Sequence, residues 1–417
     1  VKLLLASNNE GKCREIAAVL AGSDREFLTL HDFPEIPAAP EEGANYEENA
    51  LHKARHYAAL TGVPALADDS GLEIEYLGGK PGVRSARFGG ETSSYREKNE
   101  AILALLADVP AEKRRARFVC VVAYVDARGD GYVFRAECEG RIAEAIRGSH
   151  GFGYDPIFIP DGFDRTFGEL SADVKNRISH RAQALMKARA FFAKNGSAAV
   201  CRIVRTDPAD PSPEVTADAA AAILAGELIA YPTDTLYGLG ANALDAASAR
   251  RVIELKRRPL GKPISVIVGS VDQARSVARN RDGLWERLTE AFWPGPLTIV
   301  VEAAEDVPAL LTGDTGTVGV RVPDCAVARA ICDRAEVPLT ATSANRAGDP
   351  PPATAAEIVA CLGTELSLVV DCGTLSATAG STVVDISSGR LTIIRNGVIA
   401  ADRIREVLGG EPIEDVS

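Results

Sequence analysis

One break in the residue patterning constrains this chain more than any other feature. Helix-like periodicity ending near Lys194 gives way to GSAAVCRIVRTDPADPSPEVTADAA, a run of glycine and small residues followed by Pro208, Pro211 and Pro213. Helix-stopping residues gathered in one place read as a boundary, and VCRIV inside the run reads as the first short strand of a second domain. At 417 residues the chain exceeds what one hydrophobic core usually serves, so two domains are expected. They are drawn as 1–196 and 197–417, with the seam near Gly196 and the second domain's first strand from about Ala199. No repeat relates the halves, which predicts a fusion of unlike domains rather than a duplication.

In the first half, strands are predicted over 1–6, 65–67, 117–126 and 132–139, and helices over 11–20, 46–60, 93–106 and 179–193. In the second, helices are predicted over 213–225, 246–256, 326–335 and 353–361, with strands over 228–231, 264–268, 297–301, 318–322 and 391–395. Interleaving of this kind predicts α/β domains with mixed sheets.

Composition removes several function classes. No apolar run reaches the ~18 residues of a membrane helix. The opening VKLLLA is too short for a signal-peptide core and lacks a small-residue cleavage site, so a cytoplasmic location without a membrane partner is expected. The eight cysteines form no C-x-x-C pair and the five histidines no H-x-x-x-H pair, which argues for reduced thiols and against zinc; magnesium is the metal expected. The net charge of −12 divides into −3 for residues 1–196 (26 basic, 29 acidic) and −9 for 197–417 (20 basic, 29 acidic). Neither half has the Lys and Arg excess of a nucleic-acid binder, so basic clusters point to small anions.

Strand VKLLLA, loop SNNEGK and a following helix form a unit that aims backbone N–H groups and a helix dipole at an anion. Lys12 adds a charge there, and Ser7 and Asn9 add neutral donors; a plain surface turn with a solvated lysine fits as well. In ALADDSGLEI, Asp68 and Asp69 at the end of an apolar strand repel one another unless a cation or donor offsets them, which suits a metal with Glu41 as a third oxygen ligand. An Asp-Ser-Gly turn capping the strand is the alternative. HGFGYDPIF sets aromatic rings among glycines, with Asp155 fixed by the next proline, so a base can stack. His180 and Arg181, opening a helix, offer donors suited to a keto oxygen and unsuited to an exocyclic amine.

Taken in order, SNNEGK, EENALHKA, ADDSGL, GGKPGVRSAR, GFGYDP and KNRISHR resemble the inosine/xanthosine triphosphate pyrophosphatase family across nearly all of residues 1–195. The resemblance implies an elongated mixed-sheet domain that hydrolyses ITP, dITP and XTP to monophosphate and pyrophosphate, cleansing the nucleotide pool. It places Lys12, Lys53 and Lys175 on phosphates, beside Ser7, Asn9 and Ser70. Glu41 and Asp69 would hold Mg2+, with Asp69 activating water and Asp68 supporting it. Phe152 would stack on the base, whose edge Asp155, His180 and Arg181 would read. It also implies a homodimer through this domain.

In the second half, Lys256, Arg257, Arg258 and Lys262 in ELKRRPLGKPISVIV cluster at a helix end before a buried strand. In an acidic domain they suggest a polyphosphate site; a solvated helix terminus is the alternative. IAYPTDTLYGLG carries Thr233, LTATSANRAGDPPP carries Ser343 and Asn345, and STVVDIS and LTIIRNGVI supply Ser381 and Arg395. Jointly they suggest a polar pocket at strand ends with no nucleophile-base pair. Lys256, Arg258, Ser343 and Asn345, beside PTDTLYGLG, WPGPLT, VGVRVP and STVVD, resemble the YrdC-like threonylcarbamoyl-AMP synthase family across about 200–410. The resemblance implies a twisted mixed-sheet α/β domain that condenses L-threonine, bicarbonate and ATP, for transfer by tRNA-modifying enzymes downstream. Lys256, Arg258 and Lys262 would clamp phosphates, with Lys256 and Arg258 catalytic. Arg321, Ser343, Asn345, Ser381 and Arg395 would shape the nucleotide pocket, and Thr233 would touch threonine.

Two rivals stand beside these readings: an RNA-binding module in the second half, opposed by its acidity, and a non-catalytic nucleotide sensor in the first, opposed by its carboxylates.

Overall fold

The computed structural model describes residues 1–21, 25–40, 43–90, 92–193, 200–259, 261–279, 283–313, 315–363, 365–375, 379–409 and 414–415. Lys194, Gly196 and Ala199, on which the seam was drawn, lie outside the described residues, as does Glu41. Packing divides the chain into two compact units, Val1–Val200 and Cys201–Ser417. Each is a mixed-sheet α/β unit.

In the first unit the order is β1 (Lys2–Leu5), α1 (Glu10–Val19), β2 (Glu26–Thr29), α2 (Tyr46–Thr61), β3 (Ala65–Ile74), α3 (Tyr95–Leu105), β4 (Arg115–Val125), β5 (Gly131–Ile142), β6 (Phe158–Pro160), α4 (Ala172–Ile178) and α5 (His180–Ala193). The sheet runs β2-β1-β3-β4-β5-β6, parallel at β2-β1-β3 and antiparallel thereafter. On one face Leu3, Leu5, Leu66, Cys120, Val122 and Phe134 pack against Ile16 of α1 and Leu185, Ala188 and Phe191 of α5. A second core gathers Leu72, Ile74, Phe118 and Phe158 with Ile102 of α3.

Two departures from the sequence expectation bear on the site. The strand predicted over 65–67 runs through Ile74, in unbroken antiparallel register with β4. Asp68 and Asp69 are therefore mid-strand and face opposite sides of the sheet, rather than sharing a terminal turn. Gly71 permits this. A Cβ there would lie 2.3 Å from the Gly82 carbonyl, 2.7 Å from Ser85 Oγ and 2.8 Å from Tyr46 Oη, so the loop carrying Gly82 and Ser85 can lie directly on the strand. The helix predicted over 179–193 starts at His180, because Ser179 is extended (φ −68°, ψ 151°) and separates it from α4.

The second unit contains β7 (Arg202–Arg205), α6 (Pro213–Leu224), β8 (Ile229–Pro232), β9 (Tyr237–Gly240), α7 (Ala246–Lys256), β10 (Ser265–Ile267), α8 (Val271–Val277), α9 (Gly283–Phe292), β11 (Leu297–Glu302), α10 (Ala309–Thr312), β12 (Thr317–Arg321), α11 (Ala326–Ala335), β13 (Leu339–Ser343), α12 (Ala355–Leu362), β14 (Leu368–Asp371), β15 (Thr382–Asp385), β16 (Thr392–Arg395), α13 (Ala401–Val407) and β17 (Glu414–Asp415). Its pairings give the order β7-β14-β8-β9-β13-β10-β12-β11-β15-β16-β17. The apolar faces of α6 and α11 close over β8 and β14, burying Ile223, Ile331, Ile229 and Val370. Strand β9 escaped the sequence reading because two of its four residues are glycines. The Tyr231 ring fills the space their side chains would take, 2.8 Å from a Cβ at Gly238 and 2.7 Å from one at Gly240. No described helix is long and apolar enough to cross a membrane.

Gly71→Ala is expected to destabilise the first unit by about 1–3 kcal/mol, the usual cost of overpacking. The measurement is the urea midpoint of the corresponding unfolding transition in the full chain. An unchanged midpoint would mean that the loop over β3 can retreat freely.

Candidate functional site

The first unit holds a cavity of about 480 Å3 lined by Ser7, Asn9, Lys12, Lys53, Asp69, Ser70, Phe152, Asp155, Lys175, His180 and Arg181. Of the residues singled out in this half, only Asp68, which lies behind the wall, and Glu41, outside the described residues, are missing from the lining. Asn9 caps α1, its Oδ1 accepting from Lys12 N at 3.0 Å, and Ser7 Oγ accepts from Asn9 N at 3.2 Å. The polar loop thus stabilises the helix terminus whose dipole faces the cavity.

Asp68 points toward α1 and α5. Its side chain is fully buried; Oδ2 lies 3.0 Å from Lys12 Nζ and 3.1 Å from Arg181 Nε. Burial opposes its charge, but Lys12, Arg181 and Lys53 outweigh burial and hold the carboxyl well below the usual range. Asp69 faces α2, where Asn49 Nδ2 donates to its Oδ2 at 2.9 Å. Desolvation raises its pKa, offset in part by Lys53 and Lys12. Lys53 Nζ donates to the Asp68 carbonyl at 3.2 Å. Alternation along one strand gives the two carboxylates opposite electrostatic settings.

Arg181 is committed at every nitrogen: to Asp68, to Glu15 Oε2 at 2.6 Å and to Ser70 Oγ at 2.9 Å. Glu15 Oε1 accepts from Lys175 Nζ at 3.0 Å, and Lys175 reaches Asp155 Oδ2 at 2.7 Å. Asp155 also accepts from Phe152 N at 2.8 Å. A continuous charged network therefore runs Lys12, Asp68, Arg181, Glu15, Lys175, Asp155. Glu15 was missed by the sequence reading, although it lies one helical turn beyond Lys12 on the cavity side of α1. Lys175, expected beside the phosphate lysines, lines the same cavity as they do and stands 4.7 Å from the Phe152 ring centroid. Arg181, expected to read a base edge, lines the cavity and gives its Nε–H and one N–H of each terminal nitrogen to the network. His180 stacks on Phe118 at 4.5 Å with planes 7° apart. Burial, then Arg181 and Lys175, hold it well below the ordinary pKa, so the ring is neutral, and its Nδ1 has no hydrogen-bond partner among the described residues.

The second unit holds a cavity of about 280 Å3 lined by Thr233, Arg258, Arg321, Ser343, Ser381 and Arg395, among others. Strand ends and turns place these groups. Thr233 Oγ1 donates to the Leu236 carbonyl at 2.6 Å and tightens the turn after β8. Arg321, ending β12, donates to the Gly295 carbonyl at 2.9 Å and Thr235 Oγ1 at 3.2 Å and pairs with Asp234. Arg395, ending β16, donates to the Ser381 carbonyl at 2.8 Å and to Ser381 Oγ at 3.1 Å.

Helix α7 ends at Lys256, and Arg257 takes a left-handed conformation (φ 50°). That reversal turns Lys256 inward and sends Arg258 to the cavity. Lys256 is 3 % exposed, and its ammonium donates to the carbonyls of Ser343 and Asn345, the latter at 2.7 Å, and to Asn345 Oδ1 at 3.2 Å. Its own carbonyl accepts from Ala347 N at 2.8 Å. Lys256 therefore clamps the turn after β13 from both ends and is absent from the cavity lining. Burial, with Arg258 adding to it, lowers its pKa to about 8. Asn345 is 7 % exposed and is likewise outside the lining. Lys262 is exposed and gives only its carbonyl, which accepts from Arg258 Nε at 3.4 Å. Among the described residues no group of three or more His, Cys, Asp or Glu side chains is placed to hold a metal.

These sites define a class, an α/β protein with two cation-lined cavities, one per unit, each with aromatic side chains in its wall. Comparison with known proteins gives the families. The Ham1 family model matches residues 3–191, and the Sua5/YciO/YrdC model, described as telomere recombination, matches residues 221–397. A dITP/XTP pyrophosphatase of Geobacter sulfurreducens is 47% identical over 184 residues, which are 44% of this chain and 92% of that protein. One from Symbiobacterium thermophilum is 50% identical over 187 residues, 45% of this chain and 92% of its own. The structure of P. abyssi Sua5 complexed with L-threonine is similar at 33% identity and a TM-score of 0.49 over 51% of this chain; the chain spans 62% of that protein. The chain belongs to the Ham1 family through its first unit and carries a Sua5/YciO/YrdC domain in its second.

Asp68→Asn would leave the Lys12 and Arg181 cations facing a neutral amide, at an expected cost of about 3–5 kcal/mol. The wild-type carboxyl is held low, so its stabilisation is complete above the ordinary aspartate pKa of about 3.9 and is lost as pH falls below it. Urea midpoints at about pH 7 and pH 3 should therefore differ less in the variant, with Glu15, also held low by Arg181 and Lys175 against its burial, leaving a residual slope.

Proposed function

We propose that the first unit hydrolyses dITP, ITP and XTP to the monophosphate and pyrophosphate. The observation that carries this reading is the network from Lys12 to Asp155, which joins an anion-binding helix terminus to an aromatic-lined wall in one cavity. Lys12, Lys53 and the α1 terminus hold the triphosphate. Asp69, in the cavity and desolvated, is the base: water oxygen attacks the α-phosphorus, its proton passes to the Asp69 carboxylate, and the bond to the bridging oxygen breaks to release pyrophosphate. Asp68, kept ionised, holds Lys12 and Arg181 in place.

The residues fit Mg2+, since one desolvated carboxylate plus triphosphate oxygens and water is a common magnesium set; Asp69 would hold it, with Glu41 completing the set. When bound, the metal supplies charge neutralisation at the reacting phosphate. At the base, neutral His180 donates to a keto oxygen, and a purine bearing an exocyclic amine meets a donor with a donor. Arg181 and Lys175 act by positioning.

For the second unit we propose synthesis of threonylcarbamoyl-AMP. Three arginines, Arg258, Arg321 and Arg395, converge with Thr and Ser hydroxyls on a cavity that has no nucleophile-base pair, as a reaction driven by positioning requires. The threonine amine attacks bicarbonate carbon with loss of water, and a carbamate oxygen then attacks the α-phosphorus of ATP, releasing pyrophosphate. Arg258 takes the phosphates with Lys262 at the rim, Arg395 and Ser381 take the nucleotide, and Thr233 with Asp234 takes threonine. Lys256 and Asn345 hold Ser343 in register. The product would pass to tRNA-modifying enzymes, and the first unit would dimerise.

Pyrophosphate release by the full chain with magnesium tests both readings. ITP or XTP alone should turn over at least a hundredfold faster than ATP alone, and ATP should react only when threonine and bicarbonate are present. No release from ITP or XTP removes the first reading, and threonine-independent behaviour toward ATP removes the second.

Lys256 adds a pH signature. It is charged below about pH 8 and neutral above, so threonine-dependent release should fall along an alkaline limb near that pH as the clamp on Ser343 and Asn345 weakens. Lys256→Arg, which stays charged, should lose the limb even if its maximal rate is lower. A wild-type profile flat to about pH 9.5 would show that the clamp does not titrate.

A further inference from the structure

The aromatic side chains around the first cavity differ in how much ring surface they leave open. Phe152 carries the Lys175 ammonium at 4.7 Å and the Arg181 guanidinium at 5.3 Å from its centroid. Phe118 is covered by His180 and lies 4.6 Å from Phe158. Tyr154 is 3 % exposed, its hydroxyl donating to the Ser85 carbonyl at 2.7 Å. Tyr95 is the exception: it lines the same cavity and is 39 % exposed.

Its placement is built in by the local sequence. Ser94 and Glu97 form a capping box that starts α3 at Tyr95, so the ring leaves the first helical position with its backbone fixed. The ring meets Tyr154 edge-on at 5.5 Å and 90°. Lys98 Nζ, tied to the Ala86 carbonyl, sits 4.9 Å from the Tyr95 centroid. Gly153 lies beside the ring, where a Cβ would stand in ordinary van der Waals contact, 3.6 Å from Tyr95 Cε1. A ring braced by a cation and a neighbouring edge and left exposed in the cavity wall is a flat platform for a flat ligand.

We propose that Tyr95 is the stacking platform for the purine base, a binding residue that acts on the ring face and is indifferent to the ring's edge. The assignment rests on the pyrophosphatase reading of this cavity and goes beyond the expectation that Phe152 stacks on the base. Because stacking reads only the π-face, Tyr95 supplies affinity while His180 supplies discrimination.

The test is steady-state kinetics and product inhibition of the full chain carrying Tyr95→Ala or Tyr95→Phe. The alanine variant should raise KM for ITP and for XTP by a similar factor, roughly ten- to a hundredfold, with kcat within about twofold. Tyr95→Phe should match wild type. Inhibition by inosine monophosphate should weaken by the same factor in the alanine variant, whereas inhibition by pyrophosphate, which has no base, should not change. An unchanged KM, a loss confined to kcat, or equal weakening toward pyrophosphate would overturn the proposal, the last marking a collapsed site. If wild type turns over neither ITP nor XTP, the pyrophosphatase reading fails by itself, and equilibrium binding of inosine monophosphate to wild type and Tyr95→Ala still decides the platform.

Discussion

Asp68 has no exposed surface, yet two cations meet on one of its oxygens, and the first unit is organised around that burial. An isolated carboxylate at this depth is untenable, since desolvation alone would neutralise it. Lys12 from α1 and Arg181 from α5 make the charge sustainable, so both helices must dock on β3 in one register for the core to close. The same three side chains line or back the cavity. Fold and site thus rest on one compensated charge, and Glu15 and Lys175 carry that compensation onward to Asp155.

The second unit solves the opposite problem. At its cavity Arg258, Arg321 and Arg395 gather in an otherwise acidic domain, and the buried Lys256 is met by carbonyl oxygens rather than by a counter-ion. Dipoles stabilise a cation less completely than a carboxylate does, which is why its pKa drops while that of Arg181 rises against its burial. What Lys256 gains in return is geometry, because three acceptors on one turn fix the strand end that presents Ser343 to the cavity.

Much of this was legible in the residues alone, and the remainder has identifiable causes. Helices such as α7 and α11 follow from apolar spacing and fall where the sequence puts them, at 246–256 and 326–335. The extension of β3 past Asp69 was not legible, because two charges and a glycine resemble a turn until a loop is known to cross at Gly71. Strand β9 was hidden for a related reason, its glycines answering the Tyr231 ring on another strand. At the sites, residue identity was easier to read than commitment. Arg181, Lys175 and Lys256 were visible as cations, but which donors remain available depends on partners up to 166 residues away in sequence. Glu15 and Tyr95 were passed over because a single carboxylate or ring on a helix carries no signal without its neighbours.

The contrast between the two cavities bears on what each requires from its ligand. In the first, the network spends its cations, Lys12 among them, on internal carboxylates, while Lys53 and Lys12 also offset the desolvation of Asp69. On the reading proposed for this cavity, a triphosphate would bring more negative charge than these lysines balance, and a divalent cation would meet the excess. In the second, Arg258, Arg321 and Arg395 reach the cavity, and among the described residues one carboxylate, Asp234, pairs with them, on Arg321. On the synthase reading the protein itself would supply most of the positive charge that a nucleotide's phosphates require, and magnesium would arrive with the nucleotide without a carboxylate cage to receive it.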